Sequence, residues 1–390
     1  MIDNNINENT ETSAKAFKML HAAKWYSPVV GGIETAALDI TGAVAGKADV
    51  EILVCSENKK REIGKTEEGI TVYRAKTPCV KFSMPISFDY VRTFKKMAKK
   101  AELIQIHAPF PLSDLALVLS GASKRAKIAV WWHSDVIKQK KLMILYKPLM
   151  KMMLKRADKI FVAGKTVAEK SAHLAKYMNK VEVIPFGVSS ESYIAPANTT
   201  YLSDKLNVKE NVKLLFVGRL VYYKGVEVLL KAMAKTHGSE LFIVGDGELE
   251  EQLKAECAEL SIENRVHFLG KIEEDELKAA LYDCDVFVLP SVSRSECFGL
   301  VQLEAMAYGK PVINTDLPTA VPDVSLDGET GITVPPSDVS ALANALDRLV
   351  LDPELRKAYG EAAIKRCKEH FALEDMQEKL YKTYMEMLGK

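Results

Sequence analysis

The sequence predicts an α/β protein built from two doubly wound units with mainly parallel sheets. Three observations carry that expectation. Short apolar runs alternate along the chain with stretches of helix formers, the rhythm of strand, crossover helix and strand. The length, 390 residues, exceeds what one hydrophobic core usually organises. The charge also divides: residues 1–190 hold 31 Lys and Arg against 18 Asp and Glu, while residues 191–390 hold 22 against 34, so halves of +13 and −12 lie within a net charge of +1.

Composition narrows the class. A hydrophobic fraction of 48% with 27% charged residues is that of a soluble globular protein. No apolar run approaches the ~18 residues of a membrane span. The polar start, residues 1–13, lacks the apolar core of a signal peptide and is expected to be a frayed tail. Six cysteines, scattered without metal-ligand pairing, suit a reducing cytoplasm. The basic half suits anionic contacts such as a membrane surface or a lipid diphosphate, and the acidic half argues against nucleic acid wrapping the chain.

Residues 17–23 read as the first strand and Pro28 to Gly32 as the loop after it. There Gly31-Gly32 permits positive φ and close backbone approach before a helix opens at Ile33. A glycine-rich turn between strand and helix has the geometry of a phosphate cradle. Residues 49–55 and 70–74 are further strands, a basic helix covers 92–100, and the strand 102–107 carries His107 to its carboxyl end. Ligands of doubly wound sheets gather at that edge, so His107 is either a ligand group or a hydrogen-bonded loop histidine. The strand from Lys127 ends in His133-Ser134-Asp135. An imidazole so placed can orient or polarise substrate groups near neutral pH, whereas three consecutive residues cannot form a nucleophilic triad.

Lys138 to Arg156 contains no acidic residue. On a helical wheel Lys140, Lys147, Lys151 and Lys155 share one face, and Leu142, Leu145, Tyr146, Leu149, Met152 and Met153 the other. The segment suits either an anionic bilayer or a helix packed on its own sheet with solvated lysines, and Pro148 is expected to split or kink it. Strands at 159–163 and 181–185 close this half, and Gly187-Val188 begins a linker.

The second half repeats the rhythm. A strand over 212–218 is followed by Arg219, Lys224-Gly225 and a helix over 226–234, placing two cations where they suit a diphosphate. Asp246-Gly247 is expected to shape a turn and cap a helix from Glu248. The strand 266–270 leads to Lys271-Ile272. Asp283-Cys-Asp285 precedes a buried strand, and with Arg219 and Lys224 available for phosphate charge no metal site is expected there. The apolar run 286–290 ends in a loop holding Glu296, and a helix begins near Gly299 and is stopped by Gly309 and Pro311. Glu304, eight residues beyond Glu296, lies inside it. The helix N-terminus offers N–H groups and a positive dipole end to an anion, and carboxylates accept hydrogen bonds from neutral sugar hydroxyls. Helices are expected over 337–350 and most of 356–388.

Glu296-Cys-Phe-Gly-Leu-Val-Gln-Leu-Glu304, followed by Gly309-Lys-Pro-Val, resembles the E-x7-E signature of the GT4 family of retaining glycosyltransferases, which have the GT-B fold. Gly218-Arg-Leu-Val-Tyr-Tyr-Lys-Gly225 resembles its G-R-x4-K-G element, Pro28 to Glu34 its P-x-x-G-G-x-E loop, and Gly328 to Val334 its G-x-x-G-x-x-V turn. The resemblance runs from about Lys15 onward. It implies two Rossmann-like domains facing across a cleft: an acceptor side over 1–190 joined by a last helix at about 370–390, and a nucleotide-sugar side over 191–369. It places Glu296 and His133 at the donor sugar, Arg219 and Lys224 at its phosphates, and Glu304 at the ribose. The backbone of Gly31, Gly32, Phe298, Gly299 and Leu300 would meet the diphosphate, and that of Lys271 and Ile272 the base. Two departures are Gly164-Lys165-Thr166, where small hydroxyl residues are usual, and Cys297, where Ser or Gly is usual.

The implied activity is metal-independent transfer of a hexosyl group, mannosyl or glucosyl in type, from a UDP- or GDP-sugar with no further cofactor. The basic first half favours a growing surface glycan on a lipid carrier as acceptor and leaves a soluble acceptor open, and the expected location is the cytoplasm, either free or peripheral on the inner face of the plasma membrane. GDP-mannose is favoured as donor although no residue fixes the base. Two other readings stand beside it. A nonhydrolysing sugar-nucleotide epimerase shares the architecture but needs acid and base groups that cannot be placed; a noncatalytic nucleotide-sugar-binding protein has no evident need for Glu296, Arg219 and Lys224 together.

Overall fold

The computed structural model describes residues 15–29, 31–81, 84–122, 125–135 and 140–390, and the side chains of 140–143 are outside that description. The polar start at 1–13, Val30, Lys138 and the side chains of Lys140 and Leu142 therefore lie outside the described residues. The first half contains β1 (Lys18–Ala22), α1 (Gly32–Gly42), β2 (Asp49–Cys55), β3 (Glu62–Lys65), β4 (Thr71–Ala75), a small ladder of β5 (Cys79–Lys81) and β6 (Met84–Ile86), and α2 (Phe88–Met97). It continues with β7 (Leu103–Ala108), α3 (Pro111–Ser120), β8 (Lys127–Trp132), α4 (Lys140–Arg156), β9 (Lys159–Val162), α5 (Lys165–Lys170) and β10 (Val181–Val183). These strands form an eight-stranded sheet in the order β10-β9-β8-β7-β1-β2-β4-β3, parallel except for β3 at its edge.

The second half contains β11 (Val212–Val217), α6 (Val226–Met233), β12 (Ser239–Val244), α7 (Glu250–Glu259), β13 (Val266–Gly270), α8 (Glu274–Asp283), β14 (Val286–Val288), α9 (Leu300–Ala307), β15 (Val312–Thr315), α10 (Val321–Val324) and β16 (Gly331–Val334). Its six strands are all parallel, in the order β13-β12-β11-β14-β15-β16. The chain ends in α11 (Val339–Leu351), α12 (Pro353–His370) and α13 (Leu373–Leu388). Strands such as β7, β12 and β14 are buried throughout, as the Val, Ile and Leu runs of sheets covered on both faces require.

In each sheet the strand order reverses once, between β1 and β7 and between β11 and β14. Ligands of open α/β sheets lie beyond the carboxyl ends of strands at such reversals. The residues singled out in the sequence follow β8, β11 and β14 at that edge.

α13 returns to the first sheet. Tyr384, fully buried, donates its hydroxyl to Gln105 Oε1 of β7 at 2.8 Å; Thr383 donates to Glu182 Oε1 at 3.0 Å, and Lys390 bonds Glu102 at 2.7 Å. A T-shaped aromatic contact between Phe186 and Phe298, with ring centroids 5.3 Å apart, joins the two halves, and Phe371 stands against Phe298 at 6.3 Å.

Some elements differ from their sequence reading. The basic helix is α2, ending at Met97, and it starts earlier because Ser87 caps it by accepting from Tyr90 N at 2.9 Å. α7 begins at Glu250 behind Leu249, without a side-chain cap, so Asp246 does not cap it. α4 is one continuous helix with Pro148 inside it. Its buried stripe is Tyr146, Met150, Met153 and Leu154, whereas Leu145 and Met152 are exposed beside Lys147, Lys151 and Lys155. The two-faced wheel is therefore replaced by an outer face of mixed lysine and apolar character, to which Ile144 also belongs. No helix among the described residues is long and apolar enough to cross a membrane.

Candidate active site

The centre of the site is assembled by the loops after β11 and β14. Glu296 is buried, and one carboxylate oxygen, Oε2, receives Lys224 Nζ at 2.6 Å and the Ser291 hydroxyl at 3.0 Å. Ser291 is fixed in turn, its carbonyl accepting from Thr315 Oγ1 at 2.6 Å. Two glycines make the arrangement possible. Gly225, at φ +71°, lies so close to the Pro290 carbonyl that a Cβ would overlap it. Gly299, at φ +70°, leaves no space for a Cβ against Leu289 and forms the N-cap of α9. Gln302 N turns back to Gly299 O at 2.9 Å, while the N–H groups of Phe298, Gly299 and Leu300 find no backbone acceptor among the described residues. An exposed helix start of this kind favours an anion.

Lys224 and Glu296, assigned separately to phosphate and sugar in the sequence, are thus paired with each other. Arg219 is exposed on the same loop, donating to the Tyr223 hydroxyl at 3.2 Å. It faces Lys24, just beyond β1, across the cleft: burial lowers the Lys24 ammonium most, Glu34 and Cys55 oppose that, and the Arg219 charge lowers it further. Lys24 is a basic group of the cleft that sequence reasoning missed, although its place after the carboxyl end of a strand is a usable signal.

The Gly31-Gly32 loop meets the same region, with Gly32 facing the Leu300 side chain. The expectation of positive φ there is corrected: Gly31 has φ 171°, which is extended, and Gly32 opens α1. Phe298 points its ring into the junction of the two halves, so only its backbone is offered to a ligand.

Glu304 lies one helical stretch further. Burial first, then Glu274, push its carboxyl up to about 6 against the opposing charge of Lys278. From the other side of the cleft comes Asp39 of α1, raised to about 7 by burial and by Glu304. Asp39 was not read from the sequence. Since Glu274 opens α8, directly after the Lys271-Ile272 loop, that loop and Glu304 border the same stretch of cleft. Lys271 is exposed and Ile272 half-buried, at the end of the edge strand β13.

His133 directly follows β8 and lines a cavity with Ser134, Asp135, Lys170, Arg294 and Thr319. Its Nε2 is 2.8 Å from His107 Nδ1, and His107 Nε2 is 2.7 Å from His21 Nε2. His107 is therefore neither a ligand group nor a loop residue but the buried middle of a chain of three imidazoles. Burial holds His21 and His133 down at about 3, and holds His107 well below its usual value with help from its two neighbours. Asp135 serves the scaffold, accepting from Ser171 at 2.7 Å and from the Trp132 indole at 3.2 Å.

The loop that departs from the family pattern has a different task. Thr166 donates from its backbone N and its hydroxyl to Asp323, at 2.9 and 2.6 Å, tying α5 to α10 across the two halves, and Gly164 packs on Ala320. The Cys297 carbonyl accepts from Ala320 N at 2.8 Å, so its side chain does not set that geometry. Asp283 and Asp285 are occupied structurally. Asp283 takes Leu202 N, Ser203 N and the Ser203 hydroxyl, and Lys213 donates its backbone N to Asp285 and pairs with both carboxylates.

With this geometry in hand, the pattern that defines the group 1 glycosyl transferases matches residues 199–366, and that of glycosyltransferase family 4 matches residues 30–192. D-rhamnosyltransferase WbpZ of Pseudomonas aeruginosa is 33% identical over 91% of this chain and 92% of its own length. The chain belongs to the GT4 family of group 1 glycosyltransferases. O-antigen chain mannosyltransferase C of Escherichia coli is 30% identical to this glycosyltransferase over 95% of the chain and 99% of its own length. Among solved structures, Anabaena HepE in complex with UDP and glucose superposes with a TM-score of 0.78 at 19% identity, covering 95% of this chain and all of that one. Sucrose-phosphate synthase from Thermosynechococcus elongatus superposes at 0.77 with 21% identity, over 95% and 99% of the two chains. The glycosyltransferase thus has the GT-B fold expected of its family.

The Asp39 and Glu304 carboxyls give a pH test. Because the folded state raises Asp39 to about 7, the stability it contributes when protonated is intact below its unfolded value near 4 and is lost as pH rises to about 7. Asparagine never ionises. The melting temperature of Asp39→Asn relative to the parent should therefore climb by roughly 5 °C between pH 4 and pH 7 and level off above, as measured by scanning calorimetry. A difference independent of pH would contradict the assignment.

Proposed function

We propose that the protein transfers a hexosyl group, of mannosyl or glucosyl type, from a nucleoside diphosphate sugar to a glycan or lipid-linked acceptor during surface polysaccharide assembly, with retention of anomeric configuration. The observation that carries this reading is the buried contact of Lys224 with Glu296 beside the open start of α9. A diphosphate seated on the N–H groups of Phe298, Gly299 and Leu300 would meet Lys224 and Arg219, and their positive charge would stabilise the leaving group as it departs. Lys224 would then share its charge between the phosphate and Glu296, freeing a carboxylate oxygen for a sugar hydroxyl. His133 would bound the sugar from the opposite wall, and Glu304 would accept from the ribose. Gly31 and Gly32 would close the diphosphate from the acceptor side, and the backbone of Lys271 and Ile272 would take the base. Protein cations would meet the phosphate charge, so the transfer would need no metal ion or further cofactor.

The named relatives support the substrate class: a rhamnosyltransferase and an O-antigen mannosyltransferase act in related chemistry, and the HepE structures hold UDP, glucose and UDP-glucose. The two relatives' names support a mannose-type sugar; GDP-mannose is our preferred donor, with no residue that fixes the base. The basic and acidic halves support domains over 1–190 joined by the last helix at about 370–390, and over 191–369, respectively. The outer face of α4, where Ile144, Leu145 and Met152 stand among lysines, would rest on the cytoplasmic face of an anionic membrane and bring the cleft to a lipid-linked acceptor.

Incubation with a panel of UDP- and GDP-sugars and an isoprenoid-linked saccharide should release nucleoside diphosphate only when acceptor is present, and the product should keep the α or β configuration of its donor by NMR. Glu296→Gln should lower turnover on the order of 100-fold, the scale of losing one transition-state contact, with its folded fraction checked by circular dichroism. Near-normal transfer by that variant would remove Glu296 from the mechanism. For α4, replacing Lys147, Lys151 and Lys155 by Gln should weaken sedimentation with phosphatidylglycerol vesicles on the order of 100-fold, given about 1 kcal/mol per lysine. Equal binding by parent and variant would dismiss the membrane contact.

A further inference from the structure

The three-histidine chain has a direction, and its geometry fixes it. Thr41 of α1 places its hydroxyl oxygen 2.7 Å from the carbonyl oxygen of Ala37. Two oxygens at that distance need a hydrogen between them, and the carbonyl has none, so the hydroxyl proton points at Ala37, the usual back-bond of a helical threonine. The same hydroxyl oxygen lies 2.9 Å from His21 Nδ1, which must therefore be the donor. A neutral imidazole carries one N–H, so His21 Nε2 is a lone pair and accepts from His107 Nε2–H at 2.7 Å. His107 Nδ1 is then a lone pair in turn, and accepts from His133 Nε2–H at 2.8 Å. The nitrogen left with the lone pair on His133 is Nδ1, on the residue that lines the cavity beside Arg294 and Thr319.

The rings support this path. Successive centroids are 5.0 Å apart with planes inclined by only 17° and 15°, which suits N–H donation along the ring edges. All three imidazoles are buried, and among the described residues no carboxylate bonds any of them, so no described partner favours an imidazolium. His21 lies in β1, His107 in β7 and His133 directly after β8, neighbouring strands of the first sheet, and His21 and His107 flank the point where its strand order reverses.

We propose that His21 and His107 are positioning residues that lock His133 in its Nε2–H tautomer, so that Nδ1 is presented to the cleft as a hydrogen-bond acceptor for a hydroxyl of the bound sugar. The sugar's part in this rests on the proposed function; the tautomer does not. The consequence is selectivity for a hydrogen-bond donor at that position: a hydroxyl satisfies Nδ1, while a group that can only accept, such as a keto or ether oxygen, leaves it unpaired.

The test uses the full chain labelled with 15N-histidine at pH 7.5, without substrate. Among its seven histidines, His133 is assigned by the resonances lost in His133→Asn. The expected spectrum has His133 Nδ1 in the unprotonated range and Nε2 in the protonated range; a protonated Nδ1, alone or with Nε2, overturns the proposal. Two amides then separate positioning from packing. In His107→Asn the amide oxygen replaces Nδ1 and still accepts from His133, whereas in His107→Gln the amide reaches the Nε2 side and the acceptor for His133 is gone. The Gln variant should lose the single-tautomer spectrum of His133 and lower kcat by about tenfold, the worth of one hydrogen bond, with KM for the nucleotide sugar little changed. The Asn variant should restore most of both. Equal losses in the two variants, or a retained tautomer in His107→Gln, would refute the relay. If the parent chain transfers no sugar from any donor, the proposed function fails on that result, and the NMR measurement still decides the tautomer.

Discussion

The contact on which the site depends is the ion pair between Lys224 and Glu296, held away from water where the loops after β11 and β14 meet. A buried ion pair gives little net stability, because desolvating both charges offsets most of their attraction, yet losing one partner strands the other at a cost of about 3–5 kcal/mol. Such a pair is therefore a poor device for stability and a good one for specifying geometry. It also fixes the loops around it: Ser291 donates to the carboxylate while Thr315 holds the Ser291 carbonyl, and Gly225 and Gly299 adopt left-handed conformations so that backbone can pass close by. A polyanion entering beside α9 meets a lysine already in place.

The two halves contribute opposite electrostatics to the cleft. Lys24 and Arg219 face each other across it as cations, whereas Asp39 and Glu304 face each other as carboxyls. Each like-charged pair is uncomfortable without a guest. In the proposed function an anion between the first pair would relieve their repulsion, and hydroxyl donors at the second would give the carboxyls partners. The two halves that carry these groups are tied together by Thr166 on Asp323 and by Phe186 against Phe298.

Much of this was legible in the sequence, and the limits are physical. Strands buried on both faces, such as β7 and β12, announce themselves as Val, Ile and Leu runs, and the glycines and charges after β11 and β14 are local signals. The edge strand β3, Glu-Ile-Gly-Lys, is short and half exposed, so it carries no such run. α4 misled because its segment holds more apolar residues than one stripe can bury; a wheel cannot choose between Leu145 with Met152 and Met150 with Leu154 without the sheet beneath. The roles of Asp39, Lys24 and the histidine chain were hidden because they exist only between residues far apart in the chain. His21 and His107 are separated by 86 positions and bonded at 2.7 Å. A histidine inside an apolar strand was the one available sign, and it does not name its partner.

If α9, Lys224 and Arg219 together form a seat for a diphosphate, the second phosphate should be felt in binding. Calorimetric titration of GDP, GMP, UDP and UMP into the parent chain and Arg219→Met tests this most directly. The account predicts that for the preferred base the diphosphate binds at least about tenfold more tightly than the monophosphate, and that Arg219→Met removes most of that advantage. Equal affinity for mono- and diphosphate in the parent, or an undiminished advantage in the variant, would contradict it.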